Sequence, residues 1–281
     1  MAVTDCLNFG NPYKPDNFWQ LREAVEGVSE ACRAFGTPVT GGNVSLYNES
    51  PLGVVDPTPT IAMVGLIDDE KHITTQWFKE EGDVILLVGV QPARRRAATY
   101  RDEGAAVPSL GGSRYLKVCH GLKIGPPLDV DLAHEIKVQN AVRDLIREGL
   151  VQSAHDCSEG GLAVTLAESC FNPERLFGAD VDCSRRPAGD AHASRRDAST
   201  VLFNESQSRI LISVAPENVG NAIAILRERD VPFQQLGKVG GDELQIRIDE
   251  QTYRWRVTEI YDDWWNAIRQ AVEQDERIPS L

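Results

Sequence analysis

Residues 82 to 90 read GDVILLVGV, a strongly apolar run with a glycine near each end. Its length and its branched residues mark a strand. It follows the charged stretch DDEKHITTQWFKEEGD and opens a second part of the chain. Ahead of it, MAVTDCLNFGNP reads as a strand, TPV as a short strand followed by a Gly-Gly loop, and TIAMVGLI (60 to 67) as another strand. Between them Leu21, Val25, Val28, Cys32 and Phe35 recur at helical steps. Asp16 or Asn17 can cap that helix and Gly36 can end it. Beyond residue 90, Val138, Val142, Leu145, Ile146 and Leu150 predict an amphipathic helix that ends near Gly149. SAHDCSEGGLAVTLAES reads as strand, Gly-Gly turn and helix. RILISVAP and ELQIRI read as strands around the helix NVGNAIAILRERD, and YDDWWNAIRQAVEQDERIPSL as a terminal helix. Strands and helices mix without strict alternation, which predicts an α+β fold in two parts split near residue 80.

The chain has 281 residues, 42% hydrophobic and 25% charged, enough for two modest cores. Its net charge of -13 argues against a nucleic-acid partner, which calls for a basic face. An anionic substrate stays open, because loops and a metal can hold phosphate inside an acidic protein. The six cysteines contain no CxxC pair, so zinc is disfavoured, as is a disulfide framework. No run approaches the ~18 apolar residues that span a bilayer. No charged-then-apolar leader is read at the start. These features predict a reduced, cytoplasmic protein with no membrane partner. The first residues read as the end of a strand whose beginning is missing.

Four polar segments could carry chemistry. In DCLNFGNP, Asp5 stands with Asn8, Gly10 and Asn11, a set that suits Mg²⁺, adenine or ribose and equally suits an Asx-rich turn. In GGNVSLYNE, Gly41 and Gly42 permit close backbone approach. Asn43 offers a carbonyl oxygen to a cation and Ser45 a hydroxyl to a phosphate or amide. In an extended segment Asn43, Ser45 and Tyr47 share a face, which a plain solvated strand also shows. In SAHDCSEGGL the glycines precede a helix start, a place for an anion or for simple capping. His155 and Asp156 point to opposite faces of a strand, which disfavours a dyad. In FNESQSRILISV, Glu205, Gln207 and Arg209 alternate into a strand, either as a functional face or as an exposed edge. No Walker lysine loop, GxGxxG, GxSxG or HExxH motif is present.

Taken in order, AVTDCLNFGNPYKPDNFWQ, GTPVTGGNVSLYNES, PTPTIAMVGLIDD, LGGSRYL, QSAHDCSEGGLAVTLAES and FNESQSRILISV resemble the phosphoribosylformylglycinamidine synthase family, in its large synthetase subunit. The resemblance covers nearly the whole chain, and the pair DCLNFGNP and GNVSLYNE is its most specific part. It implies an AIR-synthase-like (PurM-like) N-terminal domain, truncated at its start, over residues 1 to 80. An AIR-synthase-like C-terminal α/β domain with a terminal helix follows over 81 to 281. It implies a ligase of purine biosynthesis that uses ATP and Mg²⁺ to turn formylglycinamide ribonucleotide and glutamine-derived ammonia into formylglycinamidine ribonucleotide, ADP and phosphate. The implied partners are a glutaminase subunit and a small bridging subunit.

Residue by residue, the resemblance assigns Asp5 and Gly42 to ATP, Asn43 to magnesium and Ser45 to substrate. Glu205, Ser206 and Gln207 resemble a substrate-binding triplet from the other half of an internally duplicated chain, so here they form a pseudo-symmetric copy. The family chain is more than twice as long, and its first half supplies the catalytic histidine. The resemblance therefore implies no catalytic residue in this chain and no turnover by it alone. PAGDAHASRRDAST departs from the family wording. The rival expectation is a non-catalytic nucleotide-binding or scaffold protein of the same superfamily.

Overall fold

The computed structural model describes residues 1–89, 110–125, 130–184 and 197–275. The polar stretch after residue 90 and most of the 183 to 200 segment lie outside the described residues. The chain divides into two compact units, Met1–Ile73 and Thr74–Leu281.

In the first unit, β1 (Ala2–Asn8) is the middle strand of three. It leads through α1 (Pro15–Phe35) into β2 (Val39–Ser45), which lies parallel to it, as a helical crossover allows. A small hairpin of β3 (Glu49–Ser50) and β4 (Gly53–Val54) follows. Then β5 (Thr58–Val64) pairs antiparallel on the other side of β1. Helix α1 starts on Pro15, with Lys14 at the cap position and no side-chain cap. Pro tolerates the missing donor there, so neither Asp16 nor Asn17 is needed as a cap. Asn17 is instead buried and turned to Asn11. Gly36 ends the helix in the left-handed region, φ 61°, as its sequence position predicts.

One expectation fails in an informative way. Gly41 and Gly42 are not a loop after a strand but lie inside β2, each paired with a residue of β1. The short strand read at TPV extends through the glycines to Ser45.

The second unit is built on a seven-stranded mixed sheet. Its elements run β6 (Val84–Val88), α2 (Arg114–His120), α3 (Leu132–Arg147), β7 (Ser153–Asp156), α4 (Gly161–Ser169), β8 (Ala179–Asp182) and α5 (Ala198–Phe203). They continue with β9 (Ile210–Val214), α6 (Val219–Glu228), β10 (Phe233–Val239), β11 (Glu243–Ile248), β12 (Gln251–Arg256) and α7 (Val257–Asp275). The strand order is β12-β11-β8-β10-β6-β9-β7. The apolar run noted at 82 to 90 is β6, third from the β7 edge. Val84, Leu86 and Val88 face a core with Val138, Ala141, Val142 and Leu145 of α3 and Ala222 and Leu226 of α6. Ile85 and Leu87 face a second core with Leu162 and Leu166 of α4 and Val257 of α7. A strand buried on both faces has no polar alternation to show, which is why it reads as continuous apolar sequence.

Residues 74 to 80, assigned to the first domain by sequence, belong to the second unit. Phe78 is fully buried in the second core, its N–H donates to the Ser169 carbonyl at 2.8 Å, and Ala154 N–H donates to Thr75 O at 3.0 Å. The charged character of that stretch hid one core aromatic.

The first unit leaves much apolar surface uncovered. On β5, Ile61 and Met63 are 41% and 56% exposed, and Val64, Leu66 and Ile67 are exposed beside them. Such a patch drives association. We expect the purified chain to scatter light as a species larger than its 31.0 kDa monomer. An Ile61→Lys, Met63→Lys double variant should move it toward monomer. A wild-type monomer at micromolar concentration would show that the face needs no cover.

Candidate functional site

The two most specific sequence segments form one structure. Phe9 N–H donates to Ser45 O at 3.0 Å, and Asn48 N–H returns to Phe9 O at 3.2 Å. The Asn48 amide donates to Phe9 O at 3.1 Å and to Ser45 O at 2.9 Å. Glu49 then reaches the other segment. Its carboxylate accepts from Asn11 N–H at 3.0 Å, from the Lys14 ammonium at 2.7 Å and from the Asn17 amide at 3.4 Å. The Lys14 bond, and then the Asn11 N–H, hold the Glu49 carboxyl below its usual range. Tyr47 makes the sharp reversal in the left-handed region, φ 61°. Asn11, Lys14, Asn17, Asn48 and Glu49 are thus the framework of the site. Sequence reasoning had the amides in view but not their pairing across a separation of 30 to 40 residues.

Of the residues assigned by resemblance, Asp5 and Gly42 are neighbours across the β1–β2 pair. A Cβ at position 42 would lie 2.4 Å from Asp5 Oδ1 and 2.9 Å from the Asp5 carbonyl oxygen, so a side chain there would displace the carboxylate and crowd the β1 backbone. Asp5 shares its face of the sheet with the buried Val3 and Leu7. Asn43 and Ser45 lie on the other face. The Asn43 amide approaches Cys6 Sγ at 3.8 Å, and Ser45 Oγ donates to Asn48 Oδ1 at 3.2 Å. Asn43 is exposed and its amide nitrogen faces Cys6, which leaves its oxygen for a hard cation. It fits magnesium as one neutral ligand. Among the described residues, no group of three or more His, Cys, Asp or Glu side chains completes such a set.

The triplet Glu205, Ser206 and Gln207 lies in the second unit. It does not alternate into a strand, because β9 begins only at Ile210 and Ser208 turns the chain in the left-handed region, φ 63°. Glu205 Oε1 accepts from Arg114 N–H, at the start of α2, and from Gly160 N–H, before α4, both at 2.8 Å. Anionic oxygen suits helix starts. Ser206 N–H is taken by Asn204 Oδ1 at 3.0 Å, and Gln207 is exposed. Arg209 turns back to donate to the carbonyls of Ser206, at 3.1 Å, and Asn204. The triplet is therefore a tied loop rather than one face of a strand.

His155 and Asp156 do meet, contrary to simple strand alternation, because β7 ends at Asp156. His155 Nδ1 lies 3.5 Å from Asp156 Oδ1 and its Nε2 lies 3.0 Å from Glu168 Oε2. Glu168 in turn accepts from the Trp264 indole of α7 at 3.3 Å. Burial opposes charge on the imidazole, but the two carboxylates outweigh it and hold His155 up at about 9. Both ring nitrogens are engaged, so the cluster fastens α7 to α4 and β7 and offers no free base. Burial likewise pushes the Cys157 thiol up and the Cys170 thiol to about 12, which leaves neither as a nucleophile.

Residues 80–249 match the family model for the AIR synthase related protein, C-terminal domain, and residues 1–67 that for its N-terminal domain. Among curated proteins, the chain is 44% identical over 280 residues to phosphoribosylformylglycinamidine synthase subunit PurL of Anaeromyxobacter sp. (strain Fw109-5), covering 98% of this chain and 33% of that one. The chain spans about a third of the length of the curated relatives it matches. Among solved structures, T. maritima PurL complexed with FGAR aligns at a TM-score of 0.64 and 17% identity, over 93% of this chain and 39% of that one. T. maritima PurL complexed with ATP aligns at 0.62 and 17%, over 93% and 37%. These structures share the fold.

Two outcomes test the geometry. Glu205→Ala should lower stability by about 2 kcal/mol in denaturant titration, since two charge-assisted bonds are lost. The His155 cluster should set a pH window. The raised histidine stabilises fully below its ordinary value of 6.5 and loses that effect as pH climbs through about 9. The Asp156 and Glu168 carboxyls, lowered chiefly by the His155 hydrogen bond, lose theirs as pH falls below the usual carboxylate range. Thermal melts should therefore show stability falling between pH 7 and pH 9, and His155→Gln should flatten that limb.

Proposed function

This chain belongs to the AIR synthase related protein family, and on that premise we propose that it is one part of a phosphoribosylformylglycinamidine synthase large subunit. The supporting observation is the lacing of DCLNFGNP to GNVSLYNE through Phe9, Asn11, Asn48 and Glu49. The reaction read for the whole enzyme joins formylglycinamide ribonucleotide, ATP and glutamine-derived ammonia. The γ-phosphoryl of ATP passes to the amide oxygen, and ammonia then displaces that oxygen as phosphate. The products are formylglycinamidine ribonucleotide, ADP and phosphate.

Within this chain, Asp5 and Gly42 contact ATP. Gly42 keeps the backbone bare and Asp5 accepts from the nucleotide. Asn43 supplies one oxygen to magnesium, which when bound neutralises phosphate charge. Ser45 turns its hydroxyl from Asn48 toward the substrate. Glu205, Ser206 and Gln207 form the pseudo-symmetric copy of a substrate loop, with Glu205 committed to Arg114 and Gly160 N–H. The glutaminase and small bridging subunits are the partners, and the setting is the cytoplasm. Among the described residues, no helix is long and apolar enough to cross a membrane. Among the described residues none is assigned as the general acid or base of this reaction, and on that reading the chain alone does not turn over.

Calorimetry tests the nucleotide assignment. ATP binding is expected to require Mg²⁺ and to fall at least ten-fold in Asn43→Ala. Ammonia-dependent ADP release by the isolated chain is expected to be absent. Release near the rate of a full-length relative would overturn the inactive reading. Absence of nucleotide binding together with tight capture of a glutaminase would favour the scaffold reading.

A further inference from the structure

Strand β12 ends one side of the seven-stranded sheet and, among the described residues, pairs only with β11. Val257 N–H donates to Asp242 O at 3.0 Å, one step past the pair of Glu243 and Arg256. Bonding alternates along an antiparallel ladder, so Trp255, Tyr253 and Gln251 also bond inward to β11. Thr252 and Arg254 therefore turn N–H and carbonyl outward, and Arg256 its N–H. No backbone group among the described residues meets them. An open edge of this kind is a template for one more strand.

The side chains of β12 divide by face. Tyr253 packs against the second core with Val257, and its ring stacks on Trp255 at 6.1 Å. Trp255 is 38% exposed. On the opposite face Arg254 donates to the Gln245 amide oxygen at 2.7 Å, and the Gln245 amide donates to Asp180 at 3.0 Å. The guanidinium of Arg254 is thus held in place by a neutral group. Arg256 lies opposite Glu243, yet among the described residues no ion pair joins either arginine to a carboxylate. Arg247 of β11, by contrast, is paired with Asp182 at 3.2 Å. Asp249 and Glu250 stand at the turn of the hairpin, so the positive part of the edge is its far end, Arg254 to Arg256.

We propose that β12 receives an extended segment of a partner protein in which acidic and apolar residues alternate. The acidic set lies against Arg254 and Arg256, and the apolar set continues the row of Tyr253 and Trp255. Charge selects this occupant over two others. Two copies of β12 paired across Thr252 to Arg256 would set Arg254 against Arg254, and arginine on an edge keeps like edges apart. The two longest stretches outside the described residues, 90 to 109 and 185 to 196, each carry four arginines, against two carboxylates and one. Neither is the acidic strand that this edge fits.

Fluorescence anisotropy on the full chain tests the edge with two labelled probes, Glu-Val-Glu-Val-Glu-Val and Lys-Val-Lys-Val-Lys-Val. The glutamate probe should bind about ten-fold more tightly, since two opposite-charge pairs replace two like-charge ones. Arg254→Glu combined with Arg256→Glu should invert that order. Thr252→Pro removes one outward donor, keeps both arginines and is tolerated on an edge strand, so it should weaken binding of the glutamate probe. Hydrogen exchange should slow at the Arg254 and Arg256 amides when that probe is bound and stay unchanged at Tyr253 and Trp255. Equal binding of the two probes, or binding without slowed exchange at Arg254, overturns the proposal. So does slowing at Arg254 that grows with protein concentration in the absence of any probe, which assigns the edge to a second copy. Should Thr252→Pro fail to fold, the fully N-methylated glutamate probe decides. It has no donors to give, so its binding should be lost, and undiminished binding overturns the proposal.

Discussion

Asp5 occupies the space that a side chain on the neighbouring strand would need. Its Oδ1 lies 2.4 Å from where a Cβ on residue 42 would stand, and its backbone oxygen is also within 2.9 Å. Glycine at 42 lets β1 and β2 pair through this crowded point from Thr4 to Asn8. That register brings Phe9 beside Ser45 and Asn48, and so brings Asn11 and Lys14 within reach of Glu49. Gly10 repeats the logic, since a Cβ there would meet Val54 at 2.4 Å and the Asn17 amide at 2.6 Å. Two glycines thus hold together a polar edge that neither segment could form alone.

The second unit rests on a different principle, strands covered on both faces. Alternate residues of β6 enter two separate cores, so its placement is over-determined by packing. Polar side chains within this sheet are costly unless satisfied, and most are. Glu205 and Arg209 divide the work on the 204 to 208 loop. The carboxylate takes backbone N–H groups and the guanidinium takes backbone carbonyls. A charged pair used this way fixes a loop without forming a salt bridge. Asp83, buried just ahead of β6, keeps one carboxyl oxygen without a partner, and Ser208 its hydroxyl.

The long periodic elements were legible in the sequence because their signals are local. The helical steps of α1 and α3, the glycine at 36 and the apolar run of β6 each report on neighbours within a few residues. Strands β8, β10 and β12 were not read, since short segments with mixed polarity acquire strand form from their partners. The reading of Gly41 and Gly42 as a loop failed because glycine ordinarily punctuates strands. Here the reason for Gly42 is a carboxylate 37 residues earlier, a contact no local rule contains. His155 beside Asp156 failed likewise, because alternation lapses at a strand end. The residue types of the site were legible, but their division between two faces of the sheet required the register.

That division constrains what the edge can hold. Asp5 and Gly42 lie on the face that buries Val3 and Leu7, whereas Asn43 and Ser45 lie on the other. A single molecule touching both sets must pass around the outside of β2, which is an edge strand of its sheet. The passage lies at residues 41 and 42. Gly42 is bare because of Asp5. Gly41 has open space where its Cβ would be, and its φ lies outside the left-handed region, so neither packing nor backbone conformation demands glycine there. A bare backbone at an otherwise unconstrained position on the rim leaves room for close approach from outside. Gly41 is therefore the position in this segment whose identity the fold does not explain, and the one that a ligand crossing the edge would.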